Sequence, residues 1–92
     1  DQGVGLNENL ISNLKIYPNP TSQELFVNYS GNSIHYIKLT DLSGKQIAEW
    51  NQLTLNNNLI RLELPRLKSG LYLITVNDYY MNTTIKLSVK QY

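Results

Sequence analysis

Side chains that could do chemistry are few in this sequence, which has one histidine and no cysteine. Hydrolysis by a nucleophile needs a base and an orienting acid beside it, and His35 is the one imidazole that could act as the base. It sits in an alternating stretch beside Tyr36, and no Ser or Asp lies nearby in a recognisable motif. We therefore expect His35 to face solvent or pack against a neighbour, and we predict that the protein is not an enzyme.

Metal and cofactor sites also lack candidates. The seven acidic residues are scattered, whereas glycoside hydrolysis needs paired carboxylates and a calcium loop needs several oxygen ligands at short spacing. Asp41-Leu42-Ser43-Gly44 offers one carboxylate and is better explained as a simple turn. The absence of cysteine excludes disulfides and thiolate zinc sites, and no phosphate-binding loop of the Walker type occurs. The sequence predicts no metal and no cofactor.

Aromatic side chains offer a different chemistry, which is binding. Seven tyrosines and one tryptophan could form a platform on which sugar rings stack. Because strands favour tyrosine, Tyr17, Tyr29 and Tyr72 are also explained as core or half-buried residues. Tyr79 and Tyr80 lie in a predicted loop and are the better candidates for exposed contacts. A carbohydrate-binding domain therefore stays open as an alternative.

Length and charge restrict the function further. The chain has 92 residues, enough for one small domain. Eight Lys and Arg against seven Asp and Glu give a net charge of +1, which excludes a nucleic-acid binder of the broad electrostatic kind. No apolar run reaches the roughly 18 residues of a membrane-spanning helix. The first residues show no basic region followed by an apolar core, so we expect no signal peptide in this chain.

Apolar residues alternate with polar residues along most of the chain, a period of two that places one set on a buried face. Turn signals separate the alternating stretches about every ten residues, which is typical of a β-sandwich. We therefore predict an all-β, antiparallel sandwich of about seven strands. The expected strands lie near residues 14–17, 24–30, 34–41, 45–50, 59–64, 70–77 and 83–90.

Three connections carry turn chemistry of their own. Asp41 and Gly44 fit the first and fourth places of a type I turn, and a left-handed Gly44 would make a short hairpin with a bulge. Asn56-Asn57-Asn58 can adopt positive φ and bond their own backbone, which favours a connection there. Asn77 and Asp78 open a predicted loop of five residues into the last strand.

Residues 1–13 differ from the rest of the chain. They carry two acids and no base, and Leu6, Leu10 and Ile11 have roughly helical spacing. One interpretation is a short amphipathic helix and the other is a linker; we prefer the linker because isolated helices this short are marginal in water. We therefore expect a linker at 1–13 and a folded domain at 14–92. Proteolysis concentrates in poorly packed termini, so any cleavage is expected within the linker.

Several short motifs follow one another in a fixed order. Tyr17-Pro18-Asn19-Pro20 precedes the strand Glu24-Leu25-Phe26-Val27, and the turn Asp41-Leu42-Ser43-Gly44-Lys45 follows. Ser69-Gly70-Leu71-Tyr72 then opens a strand, and Lys86-Leu87-Ser88-Val89 lies in the closing strand. In this order and at these spacings, the motifs resemble the type A C-terminal sorting domain of the type IX (Por) secretion system of Bacteroidetes.

The resemblance covers residues 14–92 and implies an immunoglobulin-like sandwich that serves as a sorting signal. Such domains sit at the C-terminus of a cargo protein and carry it from the periplasm across the outer membrane through the type IX translocon. A surface sortase then usually removes the domain and attaches the cargo to anionic lipopolysaccharide, while some cargo is released. The implied partners are the translocon, the sortase and the covalently attached cargo. A structural accessory domain of a cell-surface enzyme is the other alternative, and the oligomeric state is left open.

The resemblance also assigns roles by position. Recognition by the secretion machinery falls on the terminal region, and we add the last lysine of the strand to it: Lys86, Leu87, Ser88, Val89 and Lys90. The other motif residues are expected to be structural: Pro18, Asn19, Pro20, Gly44, Lys45, Gly70 and Tyr72.

Two of these assignments have alternatives that rest on general chemistry. Tyr72, two residues after Gly70, is explained as a corner tyrosine that bonds the backbone. Lys86 and Lys90 are expected on the outward face of the last strand. They either keep a solvated edge strand from aggregating or dock it on the translocon, and the two roles are compatible.

Overall fold

The computed structural model of the protein describes residues 14–31 and 33–91. These residues form strands and no helix, so the prediction of an all-β fold is confirmed. The expected linker at residues 1–13 lies outside the described residues. The strands are β1 (Leu14–Tyr17), β2 (Glu24–Tyr29), β3 (Ser33–Asp41), β4 (Gln46–Thr54), β5 (Leu59–Glu63), β6 (Gly70–Asn77) and β7 (Asn82–Val89).

The strands form two antiparallel sheets. Among the described residues, one sheet has three strands in the order β1-β2-β5, and the other has four in the order β4-β3-β6-β7. The chain changes sheet after β2, β4 and β5, so neighbours in space are often distant in sequence. This is the predicted immunoglobulin-like sandwich, in a form in which the fourth strand pairs with the third.

The core lies between the sheets and follows the alternation of the sequence. In β2 the side chains of Leu25 and Val27 are fully buried while Phe26 is half-buried, and β6 buries Ile74 and Val76 in the same way. Burying apolar surface is the main favourable contribution to folding. The remaining buried apolar residues are Ile34, Ile37, Leu39, Ile60, Leu62, Leu67, Leu87 and Val89.

The largest error in the predicted strands concerns β4, which ends at Thr54 and not at residue 50. Polar residues after Trp50 interrupt the alternation, so the sequence indicated an end there. In the structure Leu53 pairs with the buried Ile34, and this cross-strand contact continues the strand. The other predicted bounds agree with the structure to within one residue.

The hairpin between β3 and β4 is the predicted turn with a bulge. Gly44 has a φ of +96°, and its N–H donates to the carbonyl of Asp41 over 3.1 Å. The Asp41 side chain also accepts the N–H groups of Ser43 and Lys45, at 2.9 and 3.0 Å. The positive φ explains glycine here, because other residues adopt it at a cost.

The other two predicted connections are also present. Asn57 and Asn58 have φ values of 56° and 65°, and two 3.1 Å hydrogen bonds between Asn56 and Leu59 close their turn. The loop into the last strand contains four residues, 78–81, and not five, because Asn82 already pairs with the end of β6.

Candidate functional site

Most of the motif residues gather at one end of the four-stranded sheet. Gly70, the first residue of β6, pairs with Val89 at the end of β7. Tyr72 pairs with Asp41, from which the hairpin that contains Gly44 begins. Three motifs that are distant in sequence therefore lie side by side, because antiparallel strands bring alternate ends together.

The proline motif reaches the same end from the other sheet. After β1 the chain passes through two cis peptide bonds, before Pro18 and before Pro20, and then lies along the outer edge of β7. The N–H of Thr21 donates to the Ser88 carbonyl over 2.9 Å, and the N–H of Lys90 donates to the Thr21 carbonyl over 2.8 Å. Thr21 is 4% exposed, so this contact is almost free of water.

The side chain of Asn19 extends this contact by one more position. Its Nδ2 donates to the Lys86 carbonyl over 3.1 Å, and its Oδ1 accepts the N–H of Ser88 over 2.9 Å. On the other side, Nε2 of Gln91 donates to the Ser22 carbonyl over 3.0 Å. We call the contact between residues 19–22 and 86–91 the terminal junction. The hydrogen bonds made by the side chains of Asn19 and Gln91 join residues that are 67 to 69 positions apart in sequence.

The terminal junction divides the predicted recognition residues into two groups. Leu87 and Val89 are buried in the core, at 0% and 2% exposure. Lys86 and Lys90 are exposed, and Ser88 is half-buried with both its backbone N–H and its carbonyl bonded to residues 19–21. In the folded domain, a partner can therefore reach Lys86, Ser88 and Lys90 but not the two apolar side chains.

The residues around this end have structural contacts. The hydroxyl of Tyr72 donates to the carbonyl of Lys68 over 2.7 Å, which is the backbone contact expected of a corner tyrosine. Gly70 has a φ of +157°, a conformation that side chains rarely adopt. Lys45 is exposed and contributes its backbone N–H to the hairpin.

A groove of about 1380 Å³ runs beside the terminal junction, between the proline motif and the 64–68 loop. On its floor, Arg61 pairs with Glu24 at 2.6 Å and with Glu63 at 3.5 Å. Arg66 and Lys68 line the groove and have no carboxylate partner among the described residues. Exposed ion pairs contribute little to stability. The side chains of Arg66 and Lys68 nevertheless leave this wall of the groove positively charged.

The aromatic candidates lie elsewhere. His35 is exposed and its ring stacks on Tyr79 with a centroid distance of 4.6 Å, so it both faces solvent and packs, as predicted. Tyr79 and Tyr80 are 55% and 93% exposed, also as predicted. The expectation for Tyr17 was wrong: it is 43% exposed and stacks on Phe26, because both lie on the outer face of their sheet. Since His35 covers one face of Tyr79, only the other face of that ring is open to a ligand.

No group of three or more acidic or histidine side chains lies close enough to hold a metal ion within residues 14–31 and 33–91. The same residues contain no helix with the length and hydrophobicity needed to cross a membrane.

Comparison with known families identifies the domain. A family model described as the secretion system C-terminal sorting domain matches residues 15–90. The chain belongs to this family. The match runs from β1 to Lys90 and so includes both sides of the terminal junction. This family acts in type IX secretion and is not an enzyme family. No curated protein matches the chain.

Some residues of the sorting domain's junction were not predicted from the sequence. Thr21, Ser22 and Gln91 form hydrogen bonds across the junction, yet they look like ordinary loop and terminal residues in the sequence. The one available signal was the high content of hydrogen-bonding side chains directly after Pro20. That signal names no partner, because the bonds span more than 60 residues of chain.

Proposed function

We propose that this sorting domain directs an attached cargo protein across the outer membrane through the type IX translocon by presenting the terminal junction on a folded sandwich. Membership of the family places the domain in export toward the outer membrane, with the cell surface or the medium as destination. Passage through the periplasm belongs to the proposal. The terminal junction is the observation that carries it, because it joins the first and last family motifs into one surface.

Recognition is proposed to fall on the outer row of the last strand. Lys86, Ser88 and Lys90 form this row, while Leu87 and Val89 anchor it in the core. Residues 79–92 contain two bases and no acid, so the row presents positive charge. Charged groups at an interface mainly affect specificity and the rate of association. The translocon component that contacts the row is expected to be acidic.

Cleavage by a sortase is proposed to follow transport and to fall within residues 1–13. Pairing of the described chain begins at Leu14, which lies opposite Tyr29 in the first sheet. A protease needs an extended segment that is not paired in a sheet, so the bonds within β1 and the later strands are protected. The domain that remains then includes residues 14–92. Mapping the N-terminus of the released domain tests this, and an N-terminus inside residues 24–90 would contradict it.

The export function is tested with a reporter that carries a Sec signal and this chain at its C-terminus, expressed in a bacterium with the type IX system. The intact fusion is expected outside the cell. Deleting residues 84–92 is expected to leave the reporter in the periplasm, because losing Leu87 and Val89 removes about 1.5–3 kcal/mol of burial each. An intact fusion that stays in the periplasm would overturn the proposed function.

A double substitution separates charge from folding. Lys86→Gln with Lys90→Gln is expected to keep the domain folded, since exposed substitutions change stability by less than about 0.5 kcal/mol. Export of this variant should fall if the translocon reads the charge. The control is Lys15→Gln with Lys38→Gln, which removes the same charge away from the terminal junction. It also removes the contact of the half-buried Lys38 with the Tyr36 ring, 4.7 Å from Nζ to the ring centroid, so its folding is checked as well. Equal export of the two folded variants would rule out charge recognition at this row.

A further inference from the structure

Within the described residues, the outer edge of β7 is only half covered. Ser88 shows which side of the strand faces outward, because both its N–H and its carbonyl bond to residues 19–21. Backbone groups of a strand alternate in direction with a period of two. The N–H and carbonyl groups of Lys86 and Thr84 therefore also point outward, away from β6. The Lys86 carbonyl confirms this direction, since it accepts from Asn19.

The remaining outward groups have no backbone partner in the part of the chain that the structure describes. Within the described residues, the terminal junction ends at the Lys86 carbonyl, and no strand bonds to the Lys86 N–H or to the N–H and carbonyl of Thr84. The side chains of Thr84 and Lys86 are exposed, so water reaches this part of the edge. The edge of β7 thus has a covered half, at 86–90, and an open half, at 82–86.

The open half lacks the features that normally prevent strand pairing. Natural edge strands are protected by charges, proline or bulges. Residues 82–85 are Asn-Thr-Thr-Ile, without charge or proline, and the register between β6 and β7 is unbroken from Gly70 to Asn77. The other edge of this sheet, β4, has an irregular register and a central Glu49. Of the two edges, the open half of β7 is the better template for an added strand.

We propose that the open half of β7 binds an extended segment of a secretion-machinery protein as an additional β-strand, with Asn19 marking the end of the pairing. This inference rests on the proposed function and names the manner of binding. Strand addition gives affinity through main-chain hydrogen bonds and specificity through neighbouring side chains. Lys86 lies at the boundary with the covered half, so the added strand carries an acidic side chain at that end.

Proline substitution tests the proposal, because proline removes an N–H without touching the other side of the strand. Thr84 faces Thr75 at a position where the backbones do not bond each other, so Thr84→Pro leaves the β6–β7 ladder intact. The two threonine hydroxyls bond each other over 2.9 Å. Thr84→Val is therefore the matched control, since it loses the same hydroxyl bond but keeps the N–H.

Both variants are to be fused to the reporter described above, and thermal melting of the purified domains checks that they fold. We expect Thr84→Val to be exported like the intact chain and Thr84→Pro to be exported about tenfold less, the effect of losing one backbone bond. Normal export of folded Thr84→Pro would overturn strand addition while leaving the sorting function in place. Failure of the unsubstituted fusion would instead overturn the sorting function.

A second measurement applies whether or not the proline variant folds. Amide hydrogen exchange of the unsubstituted domain is followed at Thr84 and Lys86, alone and with purified translocon. Strand addition predicts that both amides become protected at least tenfold when the translocon is bound, because they then donate to the added strand. Binding that leaves both amides unprotected would overturn the proposal.

Discussion

Asn19 does with its side chain what a peptide group does in a sheet. It donates to one carbonyl of β7 and accepts from one N–H, at Lys86 and Ser88. A carboxamide is the smallest side chain that carries both a donor and an acceptor in a plane. The contact with the last strand therefore depends on this residue type and not only on the prolines beside it.

Replacing Asn19 tests this at the level of one side chain. Asn19→Ala loses both bonds and is expected to lower the free energy of unfolding by about 1–2 kcal/mol. Asn19→Asp keeps the acceptor but cannot donate to the Lys86 carbonyl, so it should also be destabilising. Urea unfolding measures both, with Asn51→Ala as an exposed control on β4. If the Asn19 and Asn51 variants were equally stable, the junction bonds would have no net energetic role.

The hydrogen bonds to Asp41 predict that the stability of the domain depends on pH. The hydrogen bond from the Ser43 hydroxyl, followed by that from the Lys45 N–H, holds the pKa of Asp41 below its ordinary value of 3.8. A carboxyl with a lowered pKa in the folded state stabilises the fold above its ordinary pKa, and the contribution is lost as the pH falls through the folded value. Stability should therefore fall below about pH 4. In Asp41→Asn the loss of stability on acidification should be smaller. Urea unfolding midpoints at pH 6 and pH 2 measure this loss for both proteins. An identical loss in both would contradict the role of the Asp41 carboxyl.

At the scale of the element, the hairpin between β3 and β4 depends on one backbone conformation. Gly44 adopts a φ of +96°, and a Cβ there would meet no other atom within 4 Å. Gly44→Ala is therefore expected to cost about 1–2 kcal/mol through backbone strain alone, without a clash. Leu42→Ala in the same turn is the control, because Leu42 is 59% exposed and should change stability little. Thermal unfolding compares the two, and similar melting temperatures would refute the role of the positive φ.

The individual elements were largely predictable because their causes are local. Alternation in β2, β6 and β7 and the turn residues Gly44 and Asn57 each depend on a few neighbouring residues. The extension of β4 was missed because it depends on Ile34, a residue of another strand.

The terminal junction was missed as a whole for the same reason. Its motifs were recognised separately, at the proline stretch and in the last strand, but their hydrogen bonds cross more than 60 residues. Period and turn chemistry describe neighbours in sequence and carry no information on such distant partners. The resemblance to the sorting-domain family indicated that the proline stretch and the last strand matter. Their contact is visible only in the structure.

At the scale of the whole molecule, the terminal junction links the segment after β1 to strand β7. Thr21 and Lys90 each depend on the other segment for a backbone bond. We therefore expect the amides of Thr21, Ser88 and Lys90 to exchange with solvent through one shared opening event, with free energies that agree to about 0.5 kcal/mol. Native-state hydrogen exchange measures this. A Thr21 amide that exchanges far faster than that of Lys90 would show that the first segment opens alone.

The order of synthesis gives the terminal junction a further consequence. A ribosome makes residues 19–22 early in the domain and residues 86–91 late in it, so the junction can form only on a chain whose translation has passed residue 91. A product that terminates early lacks the strand on which Asn19 and Thr21 lie. A transport machinery that tests for this contact would thereby export chains whose translation has passed the last strand of the domain and reject shorter ones.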